Sequence, residues 1–337
     1  MGHCTLFFIL YSVVLKFLLL QGMNNIRILE VRSELGGRLR GASLGIDAIK
    51  MADITKDNTF FYSEEKRRQK QIVAVKDFNS ELLKPSVHKQ AKYIDKVYSQ
   101  CKLIAEATEK CLREKKFPLI ISGDHSNAIG TIAGIKNYYN EARIGVIWVD
   151  AHADLHSPYS SPSGNMHGMP MGASLGFDGI KEYRISKRET EFWNKLKYLG
   201  SREIEPKILP QDVVYIGLRD TEIEEDELIE THNIKVIDPI DFRSMSIKEV
   251  ADEATKHLAH CDYLYVSFDI DSLDKSLVPG TGTPVDSGLS ELEAKKLLQL
   301  LLKDDRMCCF ELTEVNPLLD IENKTARMAL EIIDSLF

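Results

Sequence analysis

Six apolar runs limit what this chain can fold into: IRILEV (26–31), FPLIIS (117–122), RIGVIWVD (143–150), VVYIGLRD (213–220), YLYVSFDID (263–271) and MCCFELTEV (307–315). Their apolar character is nearly continuous rather than alternating, which is the pattern of strands buried on both faces. Amphipathic stretches at 88–114, 127–139, 246–259 and 290–303 lie between them. Such alternation predicts an α/β fold, a mostly parallel sheet flanked by helices. No internal repeat or Pro/Gly/Ser-rich linker divides the chain, so residues 23–337 are expected to form one domain with loops at 33–45, 54–70 and 155–175. GGRLRGASLG (36–45) lacks the GxGxxG spacing of a dinucleotide site and reads as a tight structural turn.

Composition narrows the partners. The 337 residues are 44% hydrophobic, ample for a packed core, and carry a formal net charge of −8. Lys and Arg are scattered rather than striped, which excludes the basic footprint of a nucleic-acid binder and favours a small-molecule partner. The six cysteines follow no zinc, redox or disulfide spacing. Cys101 shares a helical stripe with Ile94, Val97, Tyr98, Ile104 and Ala105, so it reads as core, and the thiols suit a reducing, cytoplasmic setting. TLFFILYSVVLKFLLL (5–20) is short for the roughly 20 residues of a membrane span. It contains Lys16 and lacks a basic leader or a small-residue cleavage site before Met23. Residues 1–22 are therefore read as an apolar appendage: a signal or anchor, or a stretch upstream of a true start at Met23. Membrane contact is expected only if 5–20 are retained as an anchor.

Acids and histidines gather where the apolar runs end. FPLIIS leads to Gly123, Asp124 and His125; GVIWV to Asp150, His152 and Asp154; YVSF to Asp269, Asp271 and Asp274; CCFEL to Thr313, Glu314 and Asn316. Side chains two apart on a strand point the same way, and ligands of parallel sheets sit beyond the strands' carboxyl ends, so these groups are expected to converge on one rim. Four carboxylates there (Asp150, Asp154, Asp269, Asp271) repel by several kcal/mol unless protonated or neutralised. With His125 and His152 they make a hard oxygen-plus-imidazole set matched to two divalent cations, manganese above magnesium, cobalt or zinc. Two metals about 3.5 Å apart lower the pKa of a shared water and suit hydrolysis. SPSGNMHG (161–168) adds Ser163, Asn165 and His167, a histidine placed to carry protons.

SGDHSNAIG, VDAHADLHSP, SGNMHGMP, SFDIDSLDKSLVPGTGTP and ELTEVNP resemble the signature segments of the ureohydrolase family, arginases in particular, in order and spacing from about Ile26 onward. The resemblance implies a three-layer α/β/α fold, a binuclear Mn²⁺ cluster held by His125, Asp150, His152, Asp154, Asp269 and Asp271, and homo-trimers or homo-hexamers. It implies attack by a hydroxide bridging the metals on the guanidinium of L-arginine, giving L-ornithine and urea. Glu314 would receive the guanidinium, Asp154 relay the proton and His167 exchange protons with solvent. Ser163 and Asn165 match the groups that hold the substrate α-carboxylate, but His156 stands where Asn is usual; it either donates a hydrogen bond there or caps the loop. Glu222 stands where an Asp contacts the α-amino group, with Glu225 nearby. PGTGTP, which brings Thr283 to the substrate site, is closer to agmatinases, so agmatine or another guanidino compound stays an alternative substrate. A catalytically inactive arginine-binding homologue, a metal-dependent deacetylase and a two-metal phosphoesterase are the remaining readings, disfavoured respectively by the complete residue set, the second Asp pair and the acidity of the motifs.

Overall fold

The structure is a computed structural model that describes residues 25–55, 60–62, 71–200 and 204–337. The expectations for residues 1–22 lie outside the described residues. Each of the six runs forms a strand, and two short strands join them: β1 (Ile26–Val31), β2 (Gln71–Val75), β3 (Phe117–Ser122), β4 (Ile144–Val149), β5 (Val213–Ile216), β6 (Lys235–Ile237), β7 (Tyr263–Asp269) and β8 (Met307–Thr313). They form one eight-stranded sheet in the order β2-β1-β3-β8-β7-β4-β5-β6. All neighbouring pairs are parallel. β2 and β6 are the edges, and sequence periodicity missed them because both are short, β2 is largely exposed and β6 has only three residues.

Alternate residues of the strands feed two apolar layers. Ile28, Leu119, Ile147, Val266 and Phe310 pack with helices α1 (Gly45–Thr55), α8 (Ile247–His257), α9 (Glu291–Leu301) and α10 (Lys324–Leu336). Leu29, Ile120, Trp148 and Tyr265 pack on the opposite face with α2 (Ile94–Arg113) and α3 (Ala128–Tyr139). The arrangement is the expected three-layer α/β/α. The remaining helices are α4 (Pro170–Leu175), α5 (Lys187–Lys197), α6 (Ile223–His232) and α7 (Pro239–Ser244). The segment 155–175, expected as loop, ends in a 3₁₀ turn at Met166–Gly168 and in α4, which Pro170 starts at a helical position needing no N–H donor. Cys101, Cys111, Cys261, Cys308 and Cys309 are free and buried, as their apolar settings implied.

α2 and α3 approach closely because two glycines open a groove on α3. A Cβ on Gly134 would lie 2.6 Å from the Ala105 carbonyl oxygen and 2.7 Å from Thr108 Cβ; one on Gly130 would lie 2.7 Å from the Cys101 oxygen. Gly134→Val is therefore expected to destabilise the protein by about 1–3 kcal/mol through overpacking. Chemical denaturation checks this, with the metal-to-protein ratio of the folded variant expected to stay unchanged.

Candidate metal centre and active site

β3, β8, β7 and β4 are the four central strands, and their carboxyl ends carry the candidate residues side by side. Asp150 follows β4, Asp269 ends β7, His125 begins the 3₁₀ turn after β3, and Glu314 follows β8. His125 Nδ1 lies 3.0 Å from Asp150 Oδ2, 3.1 Å from Asp154 Oδ2 and 3.2 Å from Asp269 Oδ2. His152 Nδ1 lies 3.2 Å from Asp271 Oδ2 and 3.4 Å from Asp150 Oδ1. Two ligand sets result, His125/Asp150/Asp154 and Asp150/His152/Asp271, with Asp150 common to both.

The donor atoms fit metal ions. His125 Nδ1 and Asp150 Oδ2 are fully buried, face each other and have no hydrogen-bond partner. Buried polar atoms are seldom left so unless an ion or water completes them. The other His125 nitrogen, Nε2, is 2.7 Å from Ser267 Oγ, and the ring stacks on Trp148 at 4.1 Å between centroids. A second partner of this kind fixes tautomer and ring orientation in metal-binding histidines. Burial opposes a charge on His125, but Asp150, Asp154 and Asp269 outweigh it and hold its pKa well above the histidine range. Burial, then Asp271 and Asp150, push the Asp269 carboxyl far above the usual carboxylate range; burial and neighbouring acids also raise Asp154 and Asp271. The cluster is a buried excess of negative charge that a cation would relieve.

Two of its carboxylates stand on unusual backbone. Asp154 has φ 53° and Glu314 φ 65°, the left-handed region that non-glycine residues rarely occupy and that concentrates at functional sites. The turn at Glu314 is held by its N–H, which donates to the Gly123 carbonyl at 2.9 Å, and by Thr313 Oγ1 donating to the same oxygen at 3.0 Å. Glu314 Oε1 accepts from the His125 N–H at 2.9 Å and lies 3.3 Å from His167 Nδ1. Burial opposes both charges, but their mutual attraction raises the His167 pKa and lowers that of Glu314.

The residues expected to hold metal, carry the chemistry or contact substrate all line one cavity of about 160 Å³, together with Asp220, Thr221 and Glu225. Several act on one another. His156 Nε2 is 3.0 Å from Glu222 Oε2, and its Nδ1 is 3.2 Å from Ser160 Oγ. Ser163 Oγ accepts from the Asn165 N–H at 3.1 Å, and Thr283 Oγ1 donates to Asp271 Oδ2 at 3.1 Å. Asp274 and Asn316 do not join the rim. Asp274 accepts from the Ser276 and Ser287 N–H groups, and Asn316 Oδ1 accepts from the Leu318 N–H, because each closes its own loop.

Three supports escaped the sequence reading, and a fourth, Glu225, was named there only as a neighbour of Glu222. Ser267 is the one small polar residue amid the bulky side chains of YLYVSF, and that interruption was a usable signal. Glu225 Oε1 accepts from the Leu155 N–H at 3.0 Å, between Asp154 and His156; burial pushes its carboxyl up to about 7. Arg219 Nη2 donates to the Asp271 carbonyl at 2.8 Å and to Leu273 and Val285 oxygens, pinning the loop that bears Thr283. The turn at 36–45 is more than a connection. Gly36 N–H donates to Asp124 Oδ2 at 3.0 Å while its carbonyl accepts from the His167 N–H at 3.2 Å, and a Cβ on Gly36 would lie 2.5 Å from Ser126 Oγ.

An all-parallel α/β/α core with two His/Asp sets joined by one carboxylate at its carboxyl rim defines a binuclear metallohydrolase. Residues 24–337 match the family described as "Arginase family". The chain belongs to that family and is an arginase-type ureohydrolase. It is 34% identical to an arginase of Brevibacillus brevis over 93% of this chain and 98% of that one. Among solved structures, arginase from Bacillus caldovelox is similar with a TM-score of 0.79 at 32% identity, covering 93% of this chain and 98% of that one. Entamoeba histolytica arginase in complex with L-ornithine is similar with a TM-score of 0.77 at 25% identity, covering 94% and 99%.

Proposed function

We propose that this chain hydrolyses L-arginine to L-ornithine and urea with two Mn²⁺ held by His125, Asp150, His152, Asp154, Asp269 and Asp271. The observation that carries the reading is Glu314, a buried carboxylate outside both ligand sets yet on the same cavity wall, already facing a cation-forming group. Oxygen and imidazole donors without thiolate favour manganese among divalent ions. When bound, such a metal pair lowers the pKa of a shared water and supplies hydroxide near neutral pH.

The chain's own groups orient the substrate and move protons. Glu314 receives the planar guanidinium, a resonance-stabilised cation and poor electrophile, and fixes it beside Asp154. Asp154 relays the proton from the attacking water to the departing nitrogen. A guanidinium at Glu314 sets a second cation beside His167, which favours loss of the imidazolium proton and makes His167 a better acid for exchange between solvent and the leaving amine. His167→Ala is expected to lower kcat by about 100- to 10,000-fold, the range of positioned acid–base groups, with both metals retained. Steady-state kinetics beside metal analysis checks it, and an unchanged kcat removes the proton-carrier role.

At the outer end of the cavity, Ser163, Asn165 and His156 receive the α-carboxylate and Glu222 the α-amino group, with Glu225 supporting the loop and Thr283 closing the side near Asp271. His156 and Glu222 satisfy each other in the free protein. A zwitterionic head group offers one partner to each, whereas agmatine offers only an ammonium and leaves His156 unmatched. This favours arginine over agmatine. Residues 23–337 are taken as the catalytic domain, working as a homo-trimer or homo-hexamer in the cytoplasm; among the described residues no helix is long and apolar enough to cross a membrane. Urea release from L-arginine and from agmatine, with and without added Mn²⁺, tests the reading. Ion-dependent urea and ornithine in equal amounts are expected from arginine, and agmatine turnover far above it would overturn the assignment.

A further inference from the structure

Beside the active-site cavity, and sharing Asn165 with it, is a second cavity of about 340 Å³ whose wall, among the described residues, carries Arg38, Arg40, His88, Lys89 and Lys92 and no carboxylate side chain. Its size is at the low end of small-ligand sites. In a chain of net charge −8, four permanent cations gathered without an acid among them form a local field that an anion would relieve. None of the four is ion-paired among the described residues. Arg40 Nη1 donates only to the Glu34 and Gly37 carbonyls, at 3.1 and 3.4 Å. His88 is 95% buried with Nε2 lacking a hydrogen-bond partner; the nearest acid, Asp95, is 3.8 Å away.

The two cavities are mechanically joined. Lys92 Nζ donates to Asn165 Oδ1 at 3.0 Å, and the Lys92 N–H donates to the Gly164 carbonyl at 2.7 Å. Gly164 has φ 66°, and a Cβ there would lie 2.1 Å from the Lys89 carbonyl oxygen, so the two segments touch backbone to backbone. Because Oδ1 of Asn165 accepts from Lys92, its amide NH₂ is left to face the substrate's carboxylate.

We propose that this basic cavity binds a small oxyanion of two or more charges, a phosphate or a dicarboxylate, and that the bound anion weakens arginine binding by drawing Lys92 from Asn165. The link to arginine rests on the function proposed above; the anion site itself does not. Calorimetric titration of the metal-loaded enzyme with inorganic phosphate and, separately, with succinate, both at constant ionic strength, tests it. One saturable site per chain is expected for at least one of the two, weakened tenfold or more in an Arg38→Ala/Lys89→Ala variant whose anion-free kcat and KM are unchanged. Absence of saturable binding by both anions overturns the proposal, as does full retention in the double variant, which would put the anion at the metals instead. In the kinetic arm the bound anion raises KM for arginine severalfold at constant kcat, and the double variant loses that rise. A KM insensitive to the anion, or a rise that persists in the variant, overturns the link through Lys92. The calorimetry contains no substrate, so a failure of the arginine assignment would leave its result standing and show only in the kinetics.

Discussion

Asp150→Ala is expected to bring urea release to background and to cut bound metal below one ion per chain. Asp150 is the only residue common to both ligand sets, so its loss removes a donor from each ion at once. The two other carboxylates facing His125 Nδ1 are Asp154 at 3.1 Å and Asp269 at 3.2 Å, while the close acids of His152 Nδ1 are Asp150 and Asp271. Asp271→Ala, by contrast, strips a donor from one set and is expected to leave one ion bound. Metal analysis of the two variants after exhaustive dialysis separates these results. Two ions retained in Asp150→Ala would sink the shared-ligand geometry.

Glu314→Gln is expected to keep both ions and the fold while lowering kcat/KM by a few hundred- to a few thousand-fold. The amide preserves an acceptor for the His125 N–H, now 2.9 Å from Oε1, and removes the charge that would meet the guanidinium. Breaking a buried ion pair by removing one partner costs about 3–5 kcal/mol, which sets that range of rates. Equal kcat/KM in variant and parent would show that the substrate cation is held elsewhere. The variant has a second consequence. His167 loses the anion that raises its pKa, so its pKa should fall toward or below the ordinary histidine value, and NMR titration of the apo-protein imidazole would detect the shift.

The sheet was legible because double burial leaves its mark in composition: every run such as GVIWV or YLYVSF became a strand, and β4 and β7 lie side by side. The convergence of acids and histidines on one rim was legible for a related reason. Asp and His at a spacing of two directly after a buried strand have few structural uses, and the chain does it at 150, 152 and 154 and again at 269 and 271. What escaped depends on distance in sequence. Gly36 meets Asp124 and His167, and Arg219 meets the carbonyls of Asp271 and Val285, through backbone groups that no residue type announces. The left-handed backbone at Asp154 and Glu314 is likewise invisible, since non-glycine residues adopt it too seldom for residue type to announce it. The pairing of His156 with Glu222 could not be read from either residue alone, because α6 brings Glu222 and Glu225 back to the loop after β4 only in the folded chain. Asp274 shows the opposite error: it shares the acidic spacing but turns away to cap its own loop.

The most direct test is anomalous diffraction at the manganese edge from crystals of the Mn²⁺-loaded protein. Two peaks about 3.5 Å apart, one on each side of the Asp150 carboxylate and both within ligand distance of His125 or His152, are the predicted result. A single peak, or density away from these side chains, would contradict the two-metal site.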